Sequence, residues 1–230
     1  MLYALDNMET SLQDLLPPYS KTQAIHTSRL ILRPLQWTDL ESLYRLRTTP
    51  EVMQWTSQVQ TDSSIQQTRE WMQRYMDDTE TPRRNFNFIV ALRADKDNHP
   101  DELQPNSFSN DNSAIIGVCG LTSLDSLPVS PLPSFGYMFL PETWGKGYAT
   151  EAVLGFQKEW KRLIDLGHQT HSIPLGSRQD LYDIRAVTLE ANLPSASVLR
   201  KCGWSVYEAV EVNGEKLLRW ILDRSVCSDT

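Results

Sequence analysis

Residues 141–151 carry the clearest chemical signal in this sequence, Pro-Glu-Thr-Trp-Gly-Lys-Gly-Tyr-Ala-Thr-Glu. Gly145 and Gly147 let backbone come close to a ligand, Lys146 can add a cation, and Thr150 can add a hydroxyl at the opening turn of a following helix. Unpaired N–H groups at a helix start favour an anion. The segment predicts a diphosphate site, and the structural alternative is a plain glycine turn before a core helix.

Two familiar phosphate loops fit this segment poorly. A Walker-type loop needs glycine where Leu140 stands and serine or threonine where Gly147 stands. A dinucleotide fingerprint has its third glycine where Thr150 stands, and residues 141–144 separate the strand from the first glycine. A nucleotide-binding domain of either kind is therefore disfavoured.

The elements that position this segment follow from hydrophobic spacing and turn residues. Alternation predicts strands at residues 29–35, 86–92, 114–121, 135–140, 184–189, 204–212 and 216–222. Helical spacing predicts two helices after Thr38-Asp39 and after residues 62–64, a long helix over 149–166 ended by Gly167, and a short helix over 195–202. The three strands from 86 to 140 most simply form an antiparallel meander, and Asn213-Gly214 predicts a hairpin.

This order predicts a mixed α/β fold with a central sheet flanked by helices. We expect a partly ordered N-terminal arm at 1–26, a domain at 27–223 and a tail at 224–230. Residues 94–113 are almost devoid of apolar side chains, so a mobile loop is expected there.

Composition excludes several classes of function. The 230 residues, 40% hydrophobic and 22% charged, contain no apolar run long enough to span a membrane and no signal peptide, which predicts a cytoplasmic protein. A net charge of −7 argues against nucleic acid and suits a small or cationic partner. The three cysteines indicate neither disulfides nor zinc, and His168-x-x-His171 lacks a third ligand, so no metal is expected.

Two separate blocks resemble the GNAT N-acetyltransferases, in the form found in their RimJ/RimL-like branch. The first is Phe135-Gly136-Tyr137 followed by Trp144-Gly145-Lys146-Gly147-Tyr148-Ala149-Thr150-Glu151-Ala152, which is similar to the family's acetyl-CoA motif. The second is residues 192–204, similar to the branch's Asn-x-x-Ser-x-x-Val-Leu-x-Lys-x-Gly-aromatic segment. With Arg29-Leu30-Ile31-Leu32-Arg33-Pro34 as the first strand, the resemblance covers roughly residues 27–223.

The resemblance implies a mostly antiparallel sheet whose strands 135–140 and 184–189 splay apart to hold acetyl-CoA, the cosubstrate. The implied cofactor contacts are the strand residues Met138, Phe139 and Leu140, the loop and helix-start residues Trp144, Gly145, Lys146, Gly147, Tyr148, Ala149 and Thr150, and Asn192 with Ser195. The implied reaction is direct attack of a neutral primary amine, of a small molecule or a peptide N-terminus, on the thioester.

The sequence departs from the family where many members place catalytic groups. Leu199 stands where many carry a tyrosine acid, which makes Ser195 the candidate acid, although it could instead cap its helix. Ser134 stands where the branch often has a glutamate, which leaves Glu190 and Glu142 as candidate bases, with a water relay as an alternative. Glu151 fits better as a partner of the helix dipole. Trp37 and Trp55 are candidates for lining an acceptor pocket.

These departures keep a second class of function open. A non-catalytic acyl-CoA-binding or regulatory module would also keep the cofactor motif while lacking the usual tyrosine and glutamate. Turnover of the thioester with a panel of amines distinguishes the two.

Overall fold

A computed structural model of the chain describes residues 16–76, 85–93, 114–123, 133–169 and 183–222. The loop expected at 94–113, the tail at 224–230 and His171 lie outside the described residues. The division of the chain at residue 27 stays a prediction.

The described strands are β1 Ile25–His26, β2 Leu30–Arg33, β3 Phe86–Leu92, β4 Ile115–Ser123, β5 Ser134–Phe139, β6 Arg185–Leu189, β7 Trp204–Val212 and β8 Glu215–Leu222. They form one mixed sheet in the order β1-β2-β3-β4-β5-β6-β8-β7. All neighbours are antiparallel except β5 and β6, which are parallel. The predicted mixed fold and the β3-β4-β5 meander are confirmed.

Helices cover the sheet on both faces. On one face lie α1 Leu40–Arg47, α2 Pro50–Met53 and α3 Ile65–Met76, and on the other lie α4 Tyr148–Gln169 and α5 Leu193–Lys201. Because side chains alternate along a strand, β3 sends Phe88 toward α4 and the neighbouring Ile89 toward α1–α3. Both side chains are fully buried.

The N-terminal helices are joined by a buried ion pair. The Asp62 carboxylate accepts hydrogen bonds from Arg47 Nε at 2.7 Å and from Thr68 Oγ1 at 2.6 Å. Burial acts to raise the pKa of Asp62, but the hydrogen bonds from Arg47 and Thr68 outweigh it and lower that pKa. Asp62 therefore ties α1 to α3.

Several predicted boundaries differ from the structure. The first strand is Leu30–Arg33 and not 29–35, and the two-residue β1 was missed because it is too short to show alternation. Helix α4 continues through Gly167 to Gln169, since a glycine inside a helix costs only about 1 kcal/mol. Helix α5 is Leu193–Lys201 and not 195–202.

The two described cysteines, Cys119 and Cys202, are buried and free. Burial raises the pKa of both thiols, to about 12 for Cys202. Neither thiol is therefore a nucleophile at neutral pH. Among the described helices, none is both long and apolar enough to cross a membrane.

Candidate functional site

The sheet opens between its two parallel strands. β5 and β6 pair only at Ser134 and Arg185, where Arg185 N donates to Pro133 O at 2.9 Å. Because the strands are parallel, the C-terminal ends of both lie at the wide end of the opening. We call this opening between residues 135–139 and 187–189 the β5–β6 gap.

The β5 backbone alternates between the sheet and the gap. Leu140 N donates to Ile116 O at 2.9 Å, so Leu140, and with it Met138, directs its N–H and C=O toward β4. Phe139 and Tyr137 therefore direct theirs into the gap. Of the three strand residues implied as cofactor contacts, the geometry favours Phe139, and it adds Tyr137.

The opposite wall follows the same rule. Glu190 N donates to Lys216 O at 2.8 Å on the β8 side, so Val187 and Leu189 turn their backbone groups into the gap. Leu189 O is taken by Asn192 N at 3.0 Å. On β5, Phe139 O accepts the Trp144 indole N–H at 2.7 Å. The Phe139 N–H and the Val187 backbone groups thus remain available to hydrogen-bond an extended ligand that lies along the two strand edges.

The loop at the wide end is built for an anion. In this glycine loop, Trp144–Gly147, both glycines have left-handed backbone, with φ of +73° at Gly145 and +80° at Gly147. Glu151 N is the first helix amide with a backbone acceptor, Gly147 O at 3.0 Å. Within the described chain, the N–H groups of residues 145–150 have no acceptor, and a Cβ placed on Gly145 would meet nothing within 4 Å. These open N–H groups at the start of α4 fit a diphosphate.

Glu151 has a more specific role than complementing the helix dipole. Its Oε1 accepts from Thr27 Oγ1 at 2.6 Å, Ser28 Oγ at 2.9 Å and Arg29 N at 2.8 Å, and its Oε2 accepts from Arg29 Nε at 2.7 Å. Partial burial acts to raise the pKa of Glu151, but these hydrogen bonds outweigh it and lower the pKa to about 2. Glu151 therefore stays ionised and fastens the β1–β2 turn to α4.

Ser195 faces a tyrosine that the sequence interpretation missed. The Ser195 hydroxyl lies 2.7 Å from the Tyr137 hydroxyl, which also donates to Ser195 O at 3.3 Å. Burial raises the pKa of Tyr137, so the phenol stays protonated. Tyr137 is part of the quoted Phe-Gly-Tyr segment, and its place on the same face as Phe135 and Phe139 was the available signal.

Ser195 does not cap its helix. Asn192 does so, because its Oδ1 accepts from Ser195 N at 3.1 Å, with Pro194 in the first turn. This leaves the Ser195 hydroxyl available for its contact with Tyr137. The cap also occupies Oδ1 of Asn192, so its Nδ2 is the side-chain atom that remains to reach a ligand.

The two candidate bases follow the two strands at the wide end of the gap. Glu142, just beyond β5, is exposed and pairs with Arg45. Glu190, just beyond β6, is exposed and lies 3.8 Å from Lys216 Nζ. The structure therefore brings both carboxylates to the same end of the gap as the glycine loop, and the Glu142 pair is the closer of the two.

The remaining predicted residues lie in the glycine loop, in the half-buried first turn of α4 and among the N-terminal helices. Lys146 is exposed in the glycine loop, while Tyr148, Ala149 and Thr150 form the first turn of α4. Trp37 and Trp55 are exposed on the helical segment between β2 and α3. Their role in an acceptor pocket stays a prediction.

A family model matches most of the chain. A family model described as an acetyltransferase (GNAT) domain matches residues 29–205. No curated protein matches the chain significantly.

Solved structures share the fold at low identity. A GNAT acetyltransferase from Bacillus anthracis matches with a TM-score of 0.56 and 16% identity, over 87% of this chain and 98% of the other. RimL, described as a ribosomal alpha-N-protein acetyltransferase in complex with coenzyme A, matches with a TM-score of 0.58 and 14% identity, over 87% and 99%. Mycobacterium smegmatis RimJ, solved with a coenzyme A disulfide, matches with a TM-score of 0.56 and 16% identity, over 87% and 85%.

Proposed function

The chain belongs to the acetyltransferase (GNAT) family, with acetyl-CoA as its acyl donor, and we propose that its acceptor is a primary amine of a small molecule or of a peptide N-terminus. The observation that most supports acetyltransferase activity is the β5–β6 gap, which can hold acetyl-CoA and whose wide end carries the open N–H groups of residues 145–150. We assign the catalytic domain to roughly residues 27–223.

Acetyl-CoA binds, in this proposal, by strand addition and helix-start electrostatics. The backbone of Tyr137 and Phe139 on one wall and of Val187 on the other pairs with the amides of the pantetheine arm. The diphosphate lies on the N–H groups of residues 145–150, with Lys146 as an added cation and the Trp144 ring closing the β5 end of the loop. Asn192 Nδ2 adds a donor from the α5 side.

The transfer needs no covalent enzyme intermediate. The neutral amine attacks the thioester carbon and forms a C–N bond. The C–S bond then breaks, so the acetyl group stays on the amine nitrogen and the sulfur departs as coenzyme A thiolate. A backbone N–H in the gap polarises the carbonyl oxygen as negative charge develops on it. The Ser195 hydroxyl, held by Tyr137, donates a proton to the thiolate and takes up a proton from water in its place.

Proton removal from the amine is assigned to Glu190, acting directly or through water. Glu142 is paired closely with Arg45, whereas the Glu190 contact with Lys216 is long at 3.8 Å, so the Glu190 oxygens are more accessible to an amine or a water molecule. Glu190 also sits two residues before Asn192, at the start of the segment that carries Ser195. Glu142 is the second candidate for the same role.

The test is release of coenzyme A from acetyl-CoA in the presence of an amine panel. One arm contains peptides with free α-amino groups, because RimL is described as an alpha-N-protein acetyltransferase, and the other contains small primary amines. N-acetylated forms of the same compounds are the matched controls. We expect turnover with at least one free amine and none with its blocked form.

The rival function is a non-catalytic acyl-CoA-binding module. It predicts that acetyl-CoA raises the melting temperature by mass action while no amine accelerates coenzyme A release. That combination would overturn the enzymatic proposal and leave the binding site intact. Equal stabilisation by free adenosine and by acetyl-CoA would overturn the binding site as well.

A further inference from the structure

The glycine loop is held from behind by an arginine distant in sequence. Arg29 Nη1 donates to Lys146 O at 3.0 Å, while its Nε donates to Glu151 Oε2 at 2.7 Å. The guanidinium also lies 4.6 Å from the centroid of the Tyr148 ring. One planar group therefore contacts the loop, the first turn of α4 and the carboxylate that anchors it.

This contact fixes the orientation of one peptide plane. In a trans peptide the carbonyl of one residue and the N–H of the next point in opposite directions. Holding Lys146 O toward Arg29 therefore turns the Gly147 N–H to the opposite side of the loop. Without such a restraint the plane is free to flip, because the glycines on both sides of Lys146 adopt left-handed as readily as right-handed backbone.

We propose that the Arg29–Glu151 pair is a positioning device that orients the Lys146–Gly147 peptide so that its N–H meets the diphosphate of acetyl-CoA. The inference rests on the proposed seat of the diphosphate on residues 145–150. It assigns Arg29 and Glu151 a part in cofactor affinity, and neither has to touch the cofactor.

Geometry, and not added charge, is what the pair supplies. Glu151 stays ionised, so its carboxylate balances the charge of the guanidinium beside it. The Nε and Nη1 donors of Arg29 are both used by protein acceptors, and the side chain stands on the carbonyl side of the peptide. Lysine would keep the charge but lose the planar fork that reaches two acceptors at once.

The test compares Arg29→Ala and Arg29→Lys with wild type by steady-state kinetics and coenzyme A titration. We expect KM for acetyl-CoA and Kd for coenzyme A to rise about tenfold in both variants, as for loss of a hydrogen bond from a charged group. We expect kcat at saturating acetyl-CoA to stay within about twofold, because the reacting atoms are untouched. Arg162→Ala is the control, since Arg162 forms a similar pair with Glu159 on the exposed side of α4.

A double-mutant cycle with Glu151→Gln checks that the two residues act as one device. We expect the double variant to bind coenzyme A no more than about twofold more weakly than the weaker single variant. Unchanged KM for acetyl-CoA in Arg29→Ala would overturn the proposal. A wild-type KM in Arg29→Lys would also overturn it, because the effect of Arg29→Ala would then come from the lost charge. A fall of both kcat and melting temperature in Arg29→Ala would also overturn the proposal, because it would show that Arg29 supports the fold in general and not the loop in particular.

Failure of the diphosphate seat itself is distinguishable. Gly147→Val alters the loop whether or not Arg29 positions it. If Gly147→Val weakens coenzyme A binding while Arg29→Ala does not, the seat stands and the positioning role falls. If neither variant weakens binding, the diphosphate lies elsewhere and both proposals fall.

Discussion

Replacing Ser195 by alanine separates a catalytic hydroxyl from a structural one. The alanine variant keeps the cap of α5, because that cap is the Asn192 side chain accepting from the Ser195 backbone. It loses the 2.7 Å contact with the Tyr137 hydroxyl, which still has Ser195 O as an acceptor at 3.3 Å. One such hydrogen bond contributes about 1 kcal/mol, so we expect the free energy of unfolding to fall by about that amount or less.

The catalytic consequence is larger than the structural one. Positioned proton transfer contributes about a hundredfold or more, but a thiolate is a tolerable leaving group at neutral pH, so we expect kcat to fall about tenfold. This corresponds to about 1.4 kcal/mol in the activation free energy. Tyr137→Phe removes only the oxygen that orients the Ser195 hydroxyl, and we expect a smaller loss of about threefold.

The assay measures kcat on one amine acceptor for Ser195→Ala, Tyr137→Phe and the double variant, beside urea denaturation and coenzyme A titration. Ser197→Ala is the matched control, since Ser197 is an exposed serine on the same helix. If the Tyr137 phenol acts only by orienting the Ser195 hydroxyl, the double variant has the same kcat as Ser195→Ala. Wild-type kcat in a slightly destabilised Ser195→Ala would contradict the catalytic role and leave Ser195 a structural partner of Tyr137.

Three further predictions follow from the same contacts. Gly147→Val is expected to weaken coenzyme A binding at least about tenfold, because φ there is +80° and the N–H groups of the loop must meet phosphate. Gly214→Val is the control, since φ is +81° at Gly214 in the β7–β8 turn, outside the glycine loop, and equal affinities of the two variants in a titration would contradict the prediction. Asn192→Ala is expected to cost about 1 kcal/mol in urea denaturation through loss of the α5 cap, and an unchanged midpoint would show that another group caps the helix. Glu151 has a folded pKa of about 2 against an ordinary value of 4.5, so its stabilisation is present above about pH 4.5 and is lost as pH falls toward 2. Glu151→Gln is therefore expected to be about 1–3 kcal/mol less stable than wild type at pH 6, with the gap shrinking by pH 3, and a gap that does not change with pH would contradict the assigned ionisation.

Local patterns account for most of what the sequence predicted. The glycine loop and the start of α5 are each encoded within about ten neighbouring residues, so residue type and spacing were enough to place them. The strands β3 and β7 were predicted with their observed bounds and the α3 helix with its observed start, because each carries a long regular pattern.

The missed features are contacts between distant segments. Arg29 and Glu151 are separated by 122 residues, and Tyr137 and Ser195 by 58, so no local spacing reveals either pair. The sequence also named Met138, Phe139 and Leu140 as one group. Which of their backbones faces the β5–β6 gap depends on which residues pair with β4, and that register is set by the folded sheet.

Amide hydrogen exchange with and without coenzyme A reports directly whether acetyl-CoA occupies the β5–β6 gap. We predict slower exchange on binding at residues 145–150 and at Phe139 and Val187, where N–H groups acquire acceptors from the ligand. We predict no change at Asn213-Gly214, a glycine turn of similar backbone that lies outside the glycine loop. Protection confined to other strands, with the amides of residues 145–150 unchanged, would contradict the placement of acetyl-CoA in the β5–β6 gap.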